Sequence, residues 1–279
     1  MGLKQIVVQA GVDRGAEQRA QIAADLASRF DAEVSGVFLS PAVPSLYLGG
    51  GIEAAPPASV LKDLTDAHSR TVLANAKAAR ATLERAAGEK AVGWREVDGA
   101  SPDDLVEVAR TADLLIMPGP PENTRDGVFA PADTVALGAG GPVIAIPDTS
   151  STTSVGRNVL VAWNGSREAA RAVRDALPLL TRADQVSGVI IDHPAGAHDG
   201  EQMLTAFLQR HGCRSVHVQR LPEGGRPPSE VILQHAAHVV QADLIVMGLY
   251  GHSRLREFIL GGVSRAMLDD SPIPLLLSH

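Results

Sequence analysis

Ala112-Asp113-Leu114-Leu115-Ile116-Met117 recurs 130 residues later as Ala242-Asp243-Leu244-Ile245-Val246-Met247. The same offset carries Pro142-Val143-Ile144 onto Pro272-Ile273-Pro274, which gives the segment between the two marks one length in both halves. An apolar, β-branched run opened by Ala-Asp suits a buried strand, and its return at a fixed distance is the mark of a duplicated module. The residues just beyond each copy differ. The second carries Gly248, Gly251, Gly261 and Gly262, where the first has Pro118, Pro121, Pro131 and Ala132. Glycine lets a ligand approach the backbone with its N–H free, and proline has no N–H to offer. The expectation is a chain with two copies of one module, an anion cradle kept in the second and dismantled in the first.

Working outward, the 279 residues suit two domains with a core each. The boundaries expected are 1–148 and 155–279, with the Ser/Thr-rich stretch Asp148 to Arg157 as linker. Apolar content of 45% and charged content of 20% are those of a globular protein. A net charge of −7 argues against nucleic acid as a partner. Cys213, the lone cysteine, excludes an internal disulfide and reads as a small buried thiol rather than a redox sensor. No signal-peptide pattern opens the chain, and no apolar run approaches the ~18 residues that span a bilayer, so the cytoplasm is the compartment expected.

In the first half the strands expected are Lys4–Ala10, Ala32–Leu39, Val92–Val97, Asp113–Met117 and Pro142–Ile146. Between them come helices Ala16–Phe30, Val60–Ala87, one capped by Ser101 with Pro102 and two acids behind it, and a weaker one near Val128–Leu137. The stretch Pro41–Ser59 has no periodicity. The second half repeats the order with strands Asn158–Trp163, Val186–Asp192, Ser215–Leu221, Asp243–Met247 and Ile273–Ser278. Its helices are one capped by Ser166, in which Pro178 predicts a kink or early end, then Glu201–His211, one starting at Ser229, and Phe258–Leu268. Alternating strands and helices with little polar face on the strands imply an α/β fold with a parallel sheet covered on both sides.

The chemistry concentrates at Gly248-Leu249-Tyr250-Gly251, nine residues, then Gly261-Gly262-Val263-Ser264. The first glycines follow a strand at its carboxyl end, where open α/β sheets bind ligands, and the second pair opens a helix. Backbone N–H groups and the Ser264 hydroxyl could converge there on phosphate oxygens. A flexible turn with a tight helix contact would call for the same glycines.

This spacing, Met247-Gly248-x-x-Gly251 with Gly261-x-Val263-Ser264, resembles the glycine signature of universal stress proteins. Val159 to Ser166 and the closing Pro272-Ile273-Pro274-Leu275 are similar to that family as well. The resemblance covers the chain as a tandem pair, well in the second half and poorly in the first. It implies two Rossmann-like domains of the adenine nucleotide alpha-hydrolase-like type, each a five-stranded parallel sheet of order 3-2-1-4-5. It also implies a stress-response protein that binds ATP or a related adenine nucleotide in the second domain, with at most slow hydrolysis; magnesium could accompany the nucleotide. Carried over by position, phosphates and ribose fall to Met247, Gly248, Gly251, His252, Gly261, Gly262, Val263 and Ser264, and the adenine to Ala162, Trp163, Asn164 and Ile190. This chain departs from the family in three places: Asn164 replaces an acid, Trp163 is bulkier than the usual residue, and Gly262 replaces a hydroxyl. The alternative is an interaction scaffold of the same fold that binds no nucleotide.

His235 and His238 stand three residues apart, but no nearby ligands complete a zinc site, and no catalytic residue can be named. Single-module family members commonly pair their fifth strands. The resemblance therefore implies an internal pseudo-dimer between Pro142–Ile146 and Ile273–Ser278, each covering an edge that would otherwise be an association hazard; further self-association stays open. No membrane partner is expected.

Overall fold

Asp113 and Asp243, the acids of the repeated string, do the same work in both halves. The Asp113 carboxylate accepts the N–H groups of Lys4 at 2.7 Å and Gln5 at 2.9 Å, while its own N–H donates to Gln5 O at 3.0 Å. Asp243 accepts from Gly156 at 2.6 Å, Arg157 at 2.9 Å and Asn158 at 3.1 Å, and donates to Asn158 O at 2.9 Å. Each carboxylate thus ties the start of one strand to the start of its neighbour and sets the register. Strands β1 (Gln5–Ala10) and β4 (Leu114–Pro118) pair with Ile6 opposite Leu114; β6 (Asn158–Ala162) and β9 (Leu244–Gly248) pair with Val159 opposite Leu244.

The structure, a computed structural model, describes residues 2–42, 57–97, 101–120, 131–191, 199–250 and 262–279. The other strands are β2 (Glu33–Leu39), β3 (Val92–Val97), β5 (Val143–Ile146), β7 (Gln185–Ile191), β8 (Val216–Leu221) and β10 (Leu275–Ser278). All ten form one sheet of order β3-β2-β1-β4-β5-β10-β9-β6-β7-β8. Read from its own first strand, each half has the order 3-2-1-4-5 that the resemblance implies. Every ladder is parallel except the central one, where β5 meets β10 antiparallel with Ile144 opposite Leu276. The fifth strands pair within the chain.

Helices α1 (Ala16–Phe30), α2 (Ala58–Ala87), α5 (Arg167–Leu180) and α6 (Gly200–Arg210) cover one face. On the other lie α3 (Pro102–Ala109), α4 (Ala132–Ala139), α7 (Pro228–His235) and α8 (Gly262–Asp270). Each face has one apolar cluster that runs through both halves: Ile6, Ile116, Ile144, Val159, Leu244 and Leu276, all buried, belong to a single core. At about 1.5–3 kcal/mol for each fully buried aliphatic side chain, this shared core ties the two halves together. The Asp148–Arg157 stretch is clamped onto α1. Gln18 donates to Thr152 O at 2.7 Å, Ser154 Oγ to Asp25 at 2.8 Å and Arg29 to Val155 O at 2.6 Å. Arg182 donates to Arg29 O, and its guanidinium lies 4.2 Å from the centre of the Phe30 ring.

Helix caps follow the sequence. Ser101 and Asp104 form a reciprocal capping box, and Ser166 Oγ accepts the Ala169 N–H at 3.1 Å. Four expectations need correction. Leu115 pairs with Val143 but Ile245 with Leu275, so the halves match at 130 residues before this point and at 132 after it. The counterpart of Pro142, whose carbonyl accepts the Leu115 N–H, is Pro274, whose carbonyl accepts that of Ile245. Equal spacing to Pro272 is a coincidence of proline pairs, and β10 starts at Leu275 rather than Ile273. Pro178 does not end α5 at once: the helix runs two residues further to Leu180, and Thr181 caps the Leu177 carbonyl with both its N–H and its hydroxyl. Only one helical N–H is lost so close to the end. Finally, α7 opens at Pro228 rather than Ser229 and passes into a π turn, Ala236–Val240, closed by Gln241 in a left-handed conformation (φ 51°). The expected helices near Val128–Leu137 and Phe258–Leu268 are found as α4 and α8; residues 128–130 and 258–261 lie outside the described residues, as does most of Pro41–Ser59.

Candidate functional site

Strands β6 and β9 run parallel and end side by side, so Ala162 and Gly248 share the carboxyl edge of the sheet. Ala162 packs onto the cluster under α7 and α8. Trp163 donates its N–H to Val189 O at 2.9 Å and turns its half-buried indole to the opposite face, toward α5 and α6. Its Nε1 lies 3.8 Å from where a Cβ at Gly200 would stand. Asn164 Oδ1 accepts the Ser166 N–H at 3.0 Å, a local turn that leads the chain into α5 and accounts for an amide at that place. Ile190 is buried near the end of β7, and Met247 is buried in the α7/α8 cluster.

Gly248 has a packing reason of its own. A Cβ there would stand 2.4 Å from the Glu168 carbonyl carbon and 2.5 Å from the Ala169 nitrogen, so the first turn of α5 rests directly on this glycine. Gly262 is the first described residue of α8, and a Cβ there would meet nothing within 4 Å among the described residues. Val263 is exposed beside it. Ser264, in the first turn of α8, is 6% exposed. Its Oγ accepts the Tyr250 N–H at a long 3.4 Å, and its own hydrogen has no acceptor among the described residues. Gly251, His252 and Gly261 lie outside the described residues. The structure therefore gathers Gly248, Tyr250, Gly262 and Ser264 at one strand–helix junction, with Ala162 and Asn164 at the adjoining strand end.

Tyr250 is the member that sequence reasoning missed. It takes a left-handed backbone (φ 56°), and its hydroxyl donates to Asp133 Oδ2 at 2.7 Å, in the first turn of α4. Burial, and then the bond to Asp133, pushes its phenol well above the ordinary range. Glu168 faces the same end of α5 with its carboxyl held below the usual range, chiefly by its own backbone N–H, and pairs with Arg167 at 3.3 Å.

The corresponding end of the first half is filled differently. Pro118 closes β4. Arg19, 1% exposed, forks onto both oxygens of Asp13 at 2.8 and 2.7 Å and reaches Gln9 O at 3.3 Å. Burial opposes the Asp13 charge, but the Arg19 hydrogen bond and charge outweigh it and hold the carboxyl below its ordinary range. An internal carboxylate and guanidinium occupy this loop.

Elsewhere, His235 is buried at the end of α7, where Gln219 approaches its Nε2 at 2.7 Å and burial lowers its basicity. Cys213 is buried and its thiol pushed up by burial, which makes it an unreactive packing residue. Among the described residues no three His, Cys, Asp or Glu side chains converge on a point that could hold a metal ion. No described helix is long and apolar enough to cross a membrane.

Residues 156–279 match the model of the universal stress protein family. Through this half the chain is similar to that family. A protein named as a universal stress protein in Staphylococcus aureus (strain USA300) is 27% identical over 140 residues, covering 43% of this chain and 82% of its own. Over the whole length the fold is that of a universal stress protein from Archaeoglobus fulgidus DSM 4304. The two are 15% identical, with a TM-score of 0.71 over 98% of this chain and 95% of that one. A protein from Pseudomonas aeruginosa UCBPP-PA14, described as a universal stress protein, covers 99% of this chain and 93% of its own at a TM-score of 0.52 and 15% identity. The universal stress protein fold thus extends through the first half, beyond the residues that the family model matches.

Proposed function

We propose that residues 155–279 bind ATP or a related adenine nucleotide, and that residues 1–148 are a second copy of the module that has given up the ligand. The observation that carries this reading is the Ser264 hydroxyl. It is buried in the first described turn of α8, beside the carboxyl end of β9, with its hydrogen uncommitted among the described residues. A helix N-terminus with unpaired N–H groups and a free hydroxyl suits a phosphate oxygen. At Gly262 no described residue stands where the backbone would be approached. In this reading Gly251, His252, Gly261 and Val263 complete the phosphate and ribose contacts. Ala162, Asn164 and Ile190 border the base, and the Trp163 indole stays on the α5/α6 side. Magnesium, if it accompanies the nucleotide, would be held by the phosphates. The chain's part is binding, with at most slow hydrolysis, and a cytoplasmic stress-response role is the setting that fits.

The test is mass spectrometry of small molecules released from purified, denatured protein, with calorimetry of the full chain against ATP and magnesium. The wild type should bind ATP. Ser264→Ala should weaken it roughly 10–150-fold, the range of a lost hydrogen bond to a charged group. A chain that releases no nucleotide and takes up none would leave the scaffold reading in its place.

A further inference from the structure

We infer that the first half is the positioning partner of the site in the second: Asp133 on α4 holds Tyr250, and through it Ser264, in the geometry that receives a ligand. This rests on the nucleotide reading above for its ligand, but the physical link does not.

The link starts from an uncommon backbone. Among the described residues, four other than glycine have positive φ: Asp31, Ser215, Gln241 and Tyr250. Asp31 and Gln241 close helical segments, and Ser215 leads into β8, places where a left-handed residue has a local reason. Tyr250 follows a strand, in the middle of the site, with a bulky aromatic side chain. That conformation is unfavourable for a bulky side chain and persists only where its surroundings fix it.

Three contacts fix it. The ring packs, half-buried, against the α3/α4/α7/α8 cluster. The N–H points to Ser264 Oγ at 3.4 Å, and the hydroxyl donates to Asp133 Oδ2 at 2.7 Å. Asp133 is itself anchored, since its Oδ1 accepts the Thr134 N–H at 2.7 Å. The strongest of the contacts comes from the other half, across the β5–β10 seam. The buried positions of α4 (Ala132, Val135, Ala136, Ala139) recur 132 residues on as Ser264, Met267, Leu268 and Ser271, so the counterpart of Asp133 is the cation Arg265, and that of Tyr250 in the first half is Pro120; among the described residues the link exists once and runs one way. A half whose own strand end is closed by Pro118 and the Asp13–Arg19 pair thus supplies a side chain that shapes its neighbour's.

The experiment uses the full chain with Asp133→Ala, Asp133→Asn, Tyr250→Phe and the double variant Asp133→Ala/Tyr250→Phe. Ligand-free hydrogen exchange is read first. Exchange in a peptide spanning 248–264 should speed up about tenfold in Asp133→Ala and Tyr250→Phe, with β6 peptides unchanged. ATP affinity by calorimetry should fall about tenfold in each single variant and no further in the double. Asp133→Asn, which keeps an acceptor, should stay within about threefold of wild type. Unchanged exchange at 248–264, or a lowered melting midpoint with unchanged ATP affinity, would overturn the inference and reduce the bond to a clasp between halves. A wild type that binds no ATP while exchange still responds would remove the nucleotide and leave the coupling standing.

Discussion

A methyl group added at Gly248 would come within 2.4 Å of the Glu168 carbonyl carbon, whereas one added at Gly262 would meet nothing within 4 Å among the described residues. The two glycines belong to one sequence pattern but answer to different physics. Backbone atoms cannot retreat as a flexible side chain can, so Gly248→Ala must move α5 off β9. It should cost about 1–3 kcal/mol, read from the urea midpoint. Gly262→Ala should leave stability unchanged or raise it by up to about 1 kcal/mol through helix propensity. Any loss of ATP affinity in Gly262→Ala would then report ligand approach alone, and unchanged affinity would make this glycine dispensable. Tyr250 gives a prediction in pH. Its phenol in the folded chain lies above the unfolded value of about 10, so the unfolded state loses its proton first as pH rises. The stabilisation is complete below about pH 10 and lost progressively above it. Tyr250→Phe should lose about 1 kcal/mol at pH 8 and show a shallower fall in melting midpoint between pH 9 and 11. Equal slopes for the two proteins would show that the phenol is not held.

At the scale of elements, the repeated Ala-Asp-Leu string was legible as a strand but not as a clasp. Apolar runs mark β4 and β9 because both faces of the sheet are buried; the bonds made by Asp113 and Asp243 depend on a backbone more than eighty residues away. The same distinction separates the other readings. The Ser101 and Ser166 caps are local hydrogen bonds and could be read from spacing. The two-residue shift from Pro272 to Pro274 depends on which carbonyl meets the Ile245 N–H, and no local pattern encodes that. The π turn after His235 and the Tyr250–Asp133 bond depend on tertiary packing in the same way. The site was legible as a glycine pattern, yet the packing duty of Gly248 and the role of Tyr250 were not. The clasps can be tested separately. Asp243 accepts three N–H groups and Asp113 two, partly in contact with water. Asp243→Ala should cost about 2 kcal/mol and Asp113→Ala about 1 kcal/mol in chemical denaturation, in that order. A reversed order would place the stabilisation in the carboxylates' charge environment rather than in the bonds counted.

Across the whole molecule, the antiparallel β5–β10 ladder decides how the two halves behave. Leu275, Leu276 and Leu277 are each 2% exposed or less, and Val143, Ile144 and Ala145 opposite them are equally buried. Neither strand has a charge, a proline or a bulge within the ladder, the devices by which lone edges avoid association. Cut between residues 154 and 155, the second half would present β10 to solvent, with the apolar surface that α4 and β5 now cover. Two cut halves can restore the ladder by pairing β10 with β10 about a twofold axis, since the antiparallel arrangement is self-complementary. The fragment 155–279 should therefore dimerise or aggregate in light scattering, and the intact chain should unfold in one transition because both apolar clusters run through the seam. Leu276→Lys in the fragment should weaken the dimer, since each lysine would be buried opposite its copy. In the full chain the same substitution should lower the single transition rather than split it, because the linker still holds the halves together along α1. A fragment that remains a stable, soluble monomer, or an intact chain that melts in two separate steps, would show that the seam contributes little and that each half folds on its own account.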